Sequence, residues 1–176
     1  MNLWHDLSLG DKAPEEFNVI IENPKGNKNK YEIDKETGLI KLDRAMKTAQ
    51  DFPFDYGFVP QTLWEDGDAL DVVVLATYPI HPGILLVVRP VAVMYMTDTG
   101  ESDYKIIAVP MKDPRWENVK DLRDINPHTI KEIQHFFETY KSIENKVVTI
   151  DGVEGKEKAL EAVKKSIRLY KEKFKK

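Results

Sequence analysis

The sequence contains no cysteine among its 176 residues. Disulfide bonds, thiolate zinc sites and thiol nucleophiles are therefore excluded, and the absence favours a reducing compartment such as the cytoplasm. The four histidines, His5, His81, His128 and His135, show none of the spacings at which paired histidines bind zinc. Any metal in this protein is accordingly expected to be a hard cation held by oxygen ligands.

Long apolar segments and an excess of basic charge are also missing. The run from Ile84 to Val88 is far too short to span a bilayer, and residues 1–17 lack an apolar core of signal-peptide length. We therefore expect neither a membrane partner nor a secretory signal. With 26 basic against 30 acidic residues the net charge is −4, so no nucleic-acid partner is indicated.

What is present is typical of a globular protein, with 41% hydrophobic and 32% charged residues. The length predicts one domain spanning residues 1–176, large enough to bury a core. Alternation and short apolar runs predict strands at 17–21, 30–34, 39–44, 54–59, 70–76, 84–96, 104–110 and 146–151. Helical periodicity predicts two late helices, from Pro127 to about Lys141 after an Asn126 cap, and from Glu154 to Phe174. Many short strands before any helix indicate a mainly β, small closed barrel with C-terminal helices.

The most informative segment is FPFDYGFVPQTLWEDGDALD, which runs from Phe52 to Asp71. It ends in three carboxylates, Asp66, Asp68 and Asp71, within six residues. Two carboxylates about 4 Å apart repel by roughly 4 kcal/mol at an effective dielectric constant of about 20. A fold that holds these side chains together beside a buried strand needs a cation or a shared proton.

The acidic segment taken alone has a simpler interpretation. Asp-Gly between two strands is a common hairpin turn whose acids point into water, which we favour by roughly three to one on Asp66 and Gly67 alone. A calcium-binding EF-hand loop does not fit, because Leu70 stands where an oxygen ligand is required, Asp71 where glycine is required and Thr77 where the closing glutamate is required. The rest of the chain must decide.

Further acids and several cations are spread along the predicted strands and turns. The acids are Glu22, Glu32, Asp98 and Asp103, and the polar partners are Lys30, Arg44, Lys105, Tyr140 and Lys141. Each alone is more often a solvated surface charge. Together they have the composition of a polyphosphate site, in which carboxylates hold Mg²⁺ and lysine or arginine binds phosphate oxygens.

A set of motifs in one order extends this composition over nearly the whole chain. They are Val19 to Glu22, Lys30 to Lys35, Asp43-Arg44, Pro53 to Gly57, Asp66 to Asp68 with Asp71, Arg89 to Val91, Met96 to Asp98, Asp103 with Lys105, Ala108 to Pro110, His135 to Glu138 and Tyr140-Lys141. In these motifs the sequence resembles the soluble inorganic pyrophosphatases of the first, short prokaryotic-type class. The resemblance implies a five-stranded OB-like closed barrel with two helices, a homohexamer, and Mg²⁺-dependent hydrolysis of inorganic diphosphate to two phosphates by a metal-activated water.

The resemblance also implies roles for individual residues. Asp66, Asp71 and Asp103 bind a first metal, and Asp71 faces a second. Asp98 and Asp103 hold a third, and Glu22 lies near a fourth. Asp68 is the expected base toward a water, with Tyr56 and Glu32 completing the catalytic set. The groups implied to contact phosphate are Lys30, Arg44, Tyr56, Lys105, Tyr140 and Lys141.

Two other functions were weighed against this one. A non-enzymatic OB-type module would bind oligonucleotides through basic grooves and stacking aromatics, but the carboxylates here would repel a phosphate backbone. Phosphate release with and without Mg²⁺, beside salt-dependent oligonucleotide binding, separates the two. A hydrolase of nucleoside diphosphate linkages is less favoured, because the sequence has no run of glutamates clustered on a helix.

Three positions depart from the family pattern. Ala69 replaces a proline in the acidic turn, Phe52 a tyrosine, and Asn23 a branched apolar residue beside Glu22. We expect these departures to lower the rate or loosen a metal site, without abolishing activity, because every carboxylate and cation is retained.

The first prediction concerns position 52. We expect Phe52→Tyr to change the turnover of diphosphate or its Mg²⁺ dependence, because the substitution adds a hydroxyl close to the implied metals. Phosphate release measured across a Mg²⁺ titration checks it. If both quantities stay at their wild-type values, the departure at position 52 has no functional effect.

Overall fold

The computed structural model describes residues 1–174. Within that range the strands are β1 Phe17–Asn23, β2 Asn29–Ile33, β3 Ile40–Ala45, β4 Asp55–Phe58, β5 Asp71–Val74, β6 Leu85–Asp98, β7 Glu101–Ser102, β8 Lys105–Pro110 and β9 Val148–Gly155. The helices are α1 Pro127–Thr139 and α2 Lys156–Phe174, with short 3₁₀ turns at Pro114–Trp116, Leu122–Asp124 and Ser142–Glu144.

Five of these strands form a closed ring. β1 pairs with β4, β4 with β5, β5 with β8, β8 with β6, and β6 returns to β1. The β5–β8 pair is parallel and the other four pairs are antiparallel. Valine and isoleucine dominate β5 and β8, whose apolar residues are fully buried, as expected for parallel strands covered on both faces. The predicted mainly β, OB-like five-stranded architecture with two helices is confirmed.

The hairpin formed by β2 and β3 is a separate two-stranded sheet. Lys30 lies opposite Arg44 and Glu32 opposite Lys41, and β2 packs against β1 without joining its ladder. Its residues are partly buried on β2 and mostly exposed on β3. The hairpin is therefore a flap beside the ring whose position depends on side-chain contacts.

The predicted helix N-terminus is confirmed, because the Asn126 side chain accepts a hydrogen bond from the His128 amide at 2.9 Å and Pro127 opens the helix. α1 ends at Thr139, before the predicted Lys141, and packs Phe136 and Phe137 against the ring. The aromatic run at residues 52–54 lies on this surface, with ring centroids of Phe52 and Phe136 5.1 Å apart.

No helix within residues 1–174 has the length and apolarity needed to cross a bilayer.

Two further predicted boundaries differ from those in the structure. Glu154, expected to start the last helix, lies in β9 opposite Val93, and Gly155 lies opposite Ala92. Pairing with the long strand β6 therefore overrides the helical preference of these residues. The loop predicted at 97–103 shortens, because β6 runs to Asp98 and turns back into β7 through Thr99 and Gly100, which have φ of 52° and 85°. Positive φ at both central residues is typical of a tight hairpin turn.

Gly57 is the point of closest approach between β4 and β1. A Cβ atom there would lie 2.0 Å from the carbonyl oxygen of Ile20. We expect Gly57→Ala to lower the free energy of unfolding by about 3 kcal/mol or more, because backbone must move to relieve the overlap. Gly83→Ala is the matched control, since φ is +84° but nothing lies within 4 Å, and about 1 kcal/mol is expected there. Urea unfolding measures both, and equal losses would contradict the prediction.

Candidate active site

A polar cavity of about 640 Å³ lies between the mouth of the ring, the β2–β3 hairpin and the end of α1. Among the described residues it gathers nearly the whole predicted site. The predicted site residues that line it are Glu22, Lys30, Glu32, Tyr56, Asp66, Asp68, Asp71, Asp98, Asp103, Lys105, Tyr140 and Lys141. The two acidic turns, which are about thirty residues apart in the chain, thus face one space.

The parallel pairing of β5 and β8 explains why the two turns meet. Asp71 is the first residue of β5, Lys105 is the first residue of β8, and the two lie directly opposite each other. Parallel strands begin at the same edge of a sheet. Asp66 and Asp68, in the turn before β5, therefore lie at that edge. So do Asp98, the last residue of β6, and Asp103, which stands between β7 and β8.

Lys105 forms the centre of this edge. Its side chain is 3% exposed, and its Nζ lies 2.6 Å from Asp71 Oδ2 and 2.6 Å from Asp103 Oδ1. Burial opposes the charged ammonium, but the two carboxylates outweigh it and raise the pKa of Lys105. The ammonium also lies 5.4 Å from the ring centroid of Tyr56. Lys105 is therefore a permanently charged group between two acids.

The acids around Lys105 carry more negative charge than it can balance. Burial, together with the nearby charge of Asp71, raises the pKa of Glu22 to about 8. Burial and repulsion from Asp103 and Asp71 raise the pKa of Asp66 to about 7. Burial also raises the pKa of Asp71 itself. Protonation or a bound cation is needed to relieve this repulsion.

Lys30 and Lys141, the other two lysines of the predicted site, also contact carboxylates. Lys30 Nζ lies 3.1 Å from Glu32 Oε2 and 3.3 Å from Asp43 Oδ2, and Lys141 forms an ion pair with Asp98. Burial opposes ionisation of both lysines, yet their acidic neighbours raise the pKa of each. The same pairing lowers the pKa of Asp98, although burial opposes that shift.

Arg44 is the predicted site residue that, within the described part of the chain, does not line the cavity. Its guanidinium pairs with Asp43, and its Nη2 lies 3.6 Å from Glu144 Oε2. These two acids hold the side chain beside the cavity. Contact between Arg44 and phosphate stays a prediction.

Lys35 was given no role by sequence reasoning, yet it lines the cavity and forms an ion pair with Asp68. The side chains of Lys35 and Asp68 are 59% and 53% exposed, so the pair lies at the cavity mouth. Lys35 stands two residues after β2, in the turn to β3. A pairing between this turn and residue 68 leaves no local pattern in the sequence.

The donor set of the cavity suits a hard divalent cation. Within residues 1–174 no three acids or histidines are gathered closely enough to form a metal site as they stand, and the Lys105 ammonium lies between Asp71 and Asp103. The ligands available are carboxylate oxygens, which Mg²⁺ and Ca²⁺ prefer. The raised pKa values of Glu22 and Asp66 show that the cavity favours added positive charge. The carboxylate ligands and the electrostatics of the cavity therefore both fit a hard divalent cation.

The fold and the cavity together define an OB-like β protein whose ring mouth combines carboxylates and lysines, a combination suited to a polyphosphate and hard cations. The family model for inorganic pyrophosphatase matches residues 19–171. The chain is 47% identical over 169 residues to soluble inorganic pyrophosphatase 1 of Arabidopsis thaliana, covering 96% of this chain and 80% of the relative.

Solved structures give the same result. The structure of inorganic pyrophosphatase from Thermus thermophilus matches with a TM-score of 0.93 and 46% identity, covering 97% of this chain and 99% of that one. That of the Helicobacter pylori enzyme matches with a TM-score of 0.89 and 41% identity, covering 94% and 99%. The chain belongs to the inorganic pyrophosphatase family and is a hydrolase of the phosphoanhydride bond.

The raised pKa of Glu22 predicts a pH dependence of stability. Its carboxyl titrates near 4.5 when unfolded and at about 8 when folded, so the metal-free protein loses stability as pH rises between those values. Glu22→Gln keeps an oxygen for the Ile33 amide but does not titrate. We expect its melting temperature in chelator to exceed that of the wild type at pH 9 and to match it near pH 4.5.

Glu36→Gln is the control for this experiment, because Glu36 lies on the same cavity but is exposed. Its melting temperature should follow the wild type at both pH values. Parallel curves for wild type and Glu22→Gln would show that Glu22 ionises in the folded protein as it does in the unfolded one.

Proposed function

We propose that this chain hydrolyses inorganic diphosphate to two phosphates in the cavity at the ring mouth, with Mg²⁺ as its cofactor. The observation that carries the proposal is the convergence of both acidic turns on the edge where Asp71 and Lys105 pair. Such a site binds an anion of high charge only together with cations, and diphosphate is the substrate expected from the family to which the chain belongs.

The carboxylates divide into cation ligands and a base. Asp66, Asp71, Asp98 and Asp103 would hold Mg²⁺, with Glu22 close by. When bound, Mg²⁺ would neutralise phosphate oxygens and lower the pKa of a water near the site. Asp68 is separate from the cluster around Lys105 and exposed at the mouth, paired with Lys35. That position suits a group that takes a proton from water and passes it to solvent.

The lysines bind and orient the substrate. Lys30, Lys105 and Lys141 are charged and held by carboxylates on three sides of the cavity, from β2, from β8 and from the end of α1. Diphosphate oxygens would replace or share these carboxylate contacts, which places each phosphoryl group between fixed positive charges. Glu32 keeps Lys30 in position through the 3.1 Å contact.

Two tyrosines of the predicted site supply hydroxyl groups as hydrogen-bond donors. Burial and the charge of Asp71 raise the pKa of Tyr56, so its hydroxyl keeps its proton at any working pH. Tyr140 stacks on Phe136, with ring centroids 5.0 Å apart, at the end of α1. Neither the described cavity nor the proposal involves a serine or cysteine nucleophile, so positioning and charge neutralisation carry the catalysis.

Assembly and location belong to the same proposal. A homohexamer in the cytoplasm is what the family resemblance implies. Ile84, Leu85 and Val87 are 47%, 50% and 44% exposed along the outside of the ring. A row of exposed apolar side chains at the start of a strand supports contact between copies of the chain.

The decisive variant is Asp68→Asn. With saturating Mg²⁺ we expect phosphate release from diphosphate to fall by about 10²- to 10⁴-fold, because the amide cannot accept the proton. Asp11→Asn, an exposed acid remote from the cavity, is the control and should keep the wild-type rate. Equal rates for wild type and Asp68→Asn would remove Asp68 from the mechanism.

A further inference from the structure

The β2–β3 hairpin carries Lys30 and Glu32, yet its attachment to the ring is unusual. Within residues 1–174, β2 has a backbone ladder with β3 and with no other strand. The hydrogen bonds that join β2 to β1 involve two consecutive side chains, Glu22 and Asn23, while the Ile33 side chain packs against a neighbouring apolar cluster. The placement of Lys30 over the cavity therefore depends in part on these two residues.

Asn23 makes two of these bonds to one residue. Its Oδ1 accepts a hydrogen bond from the Tyr31 amide at 2.7 Å, and its Nδ2 donates one to the Tyr31 carbonyl at 2.8 Å. The residue is 1% exposed. A buried primary amide with both ends paired to the same peptide backbone acts as a substitute for a neighbouring strand.

A bulge in β1 makes this arrangement possible. Ile21 lies opposite Gly57 and Asn23 opposite Tyr56, so Glu22 is an extra residue in the pairing with β4. A bulge interrupts the alternation of side chains along a strand. As a result, the neighbours Glu22 and Asn23 both reach β2, at the amide of Ile33 and at the backbone of Tyr31.

We propose that Asn23 is a positioning residue for the diphosphate reaction. It holds the backbone of Tyr31, and thereby keeps the adjacent Lys30 and Glu32 at the cavity. Glu22 is a candidate cation ligand, and cation binding would compete with the hydrogen bond that its carboxylate accepts from the Ile33 amide. The side-chain amide of Asn23 carries no charge and has no such competing role. The inference rests on the proposed function, and it replaces, for position 23, the expectation that the departure from a branched apolar residue loosens the site.

Asn23→Leu tests the proposal, because leucine has nearly the same shape and forms no hydrogen bond. We expect amide exchange at Tyr31 to become about tenfold faster and the KM for diphosphate to rise about tenfold, with kcat within about twofold of wild type. Asn23→Ala should give the same changes, and its smaller side chain cannot clash with the residues packed around position 23. Asn18→Leu is the matched control on the same strand, where the amide donates to the Ser8 carbonyl away from the cavity, and it should leave KM unchanged.

A double-mutant cycle with Lys30→Ala separates positioning from general loss of stability. If Asn23 acts through Lys30, the KM of the double variant should equal that of Lys30→Ala alone. An equal fold-change in both backgrounds, a fall in kcat at constant KM, or unchanged exchange at Tyr31 would each overturn the proposal. Wild-type protein that releases no phosphate would instead overturn the proposed function, while the exchange measurement still judges the anchoring of β2.

Discussion

The parallel pairing of β5 with β8 is the constraint on which the candidate site depends. Every other pair in the ring is antiparallel. This one pair starts two strands at the same edge and so brings Asp71 opposite Lys105. Without it, the turns that precede the two strands would lie at opposite ends of the ring, and the carboxylates would be separate surface charges.

Charge balance inside the cavity follows from that geometry. Lys105 joins Asp71 and Asp103, and the two other lysines of the predicted site, Lys30 and Lys141, are also paired with acids. The acids still exceed what the lysines neutralise, as the pKa of about 8 for Glu22 shows. The cavity is thus held together by ion pairs that an anionic substrate and its cations can exchange.

The ring and the hairpin contribute to the site in different ways. Ring residues are positioned by backbone ladders and a buried core, and they supply the acids and Lys105. The hairpin is positioned by side chains from the bulge in β1, and it supplies Lys30 and Glu32. A rigid half and a more weakly attached half meet across the cavity, which places the candidate substrate-binding lysines on both sides of it.

The sequence by itself determined the chemistry of the site and most of the elements around it. The strand periods and the cap at Asn126 are local properties, so they predict strands and a helix start from neighbouring residues alone. The acids at residues 66–71 alone favour a simple turn, and their combination with the other acids and cations along the chain is what predicts the donor type. Only the tertiary structure decided which side chains meet. Three contacts between different elements of the fold show this. They are the ion pairs of Lys35 with Asp68 and of Arg44 with Glu144, and the hydrogen bond that Asn23 accepts from Tyr31. Such contacts depend on sheet register and on a bulge, which strand periodicity does not encode, because pairing energy is spread over many distant residues.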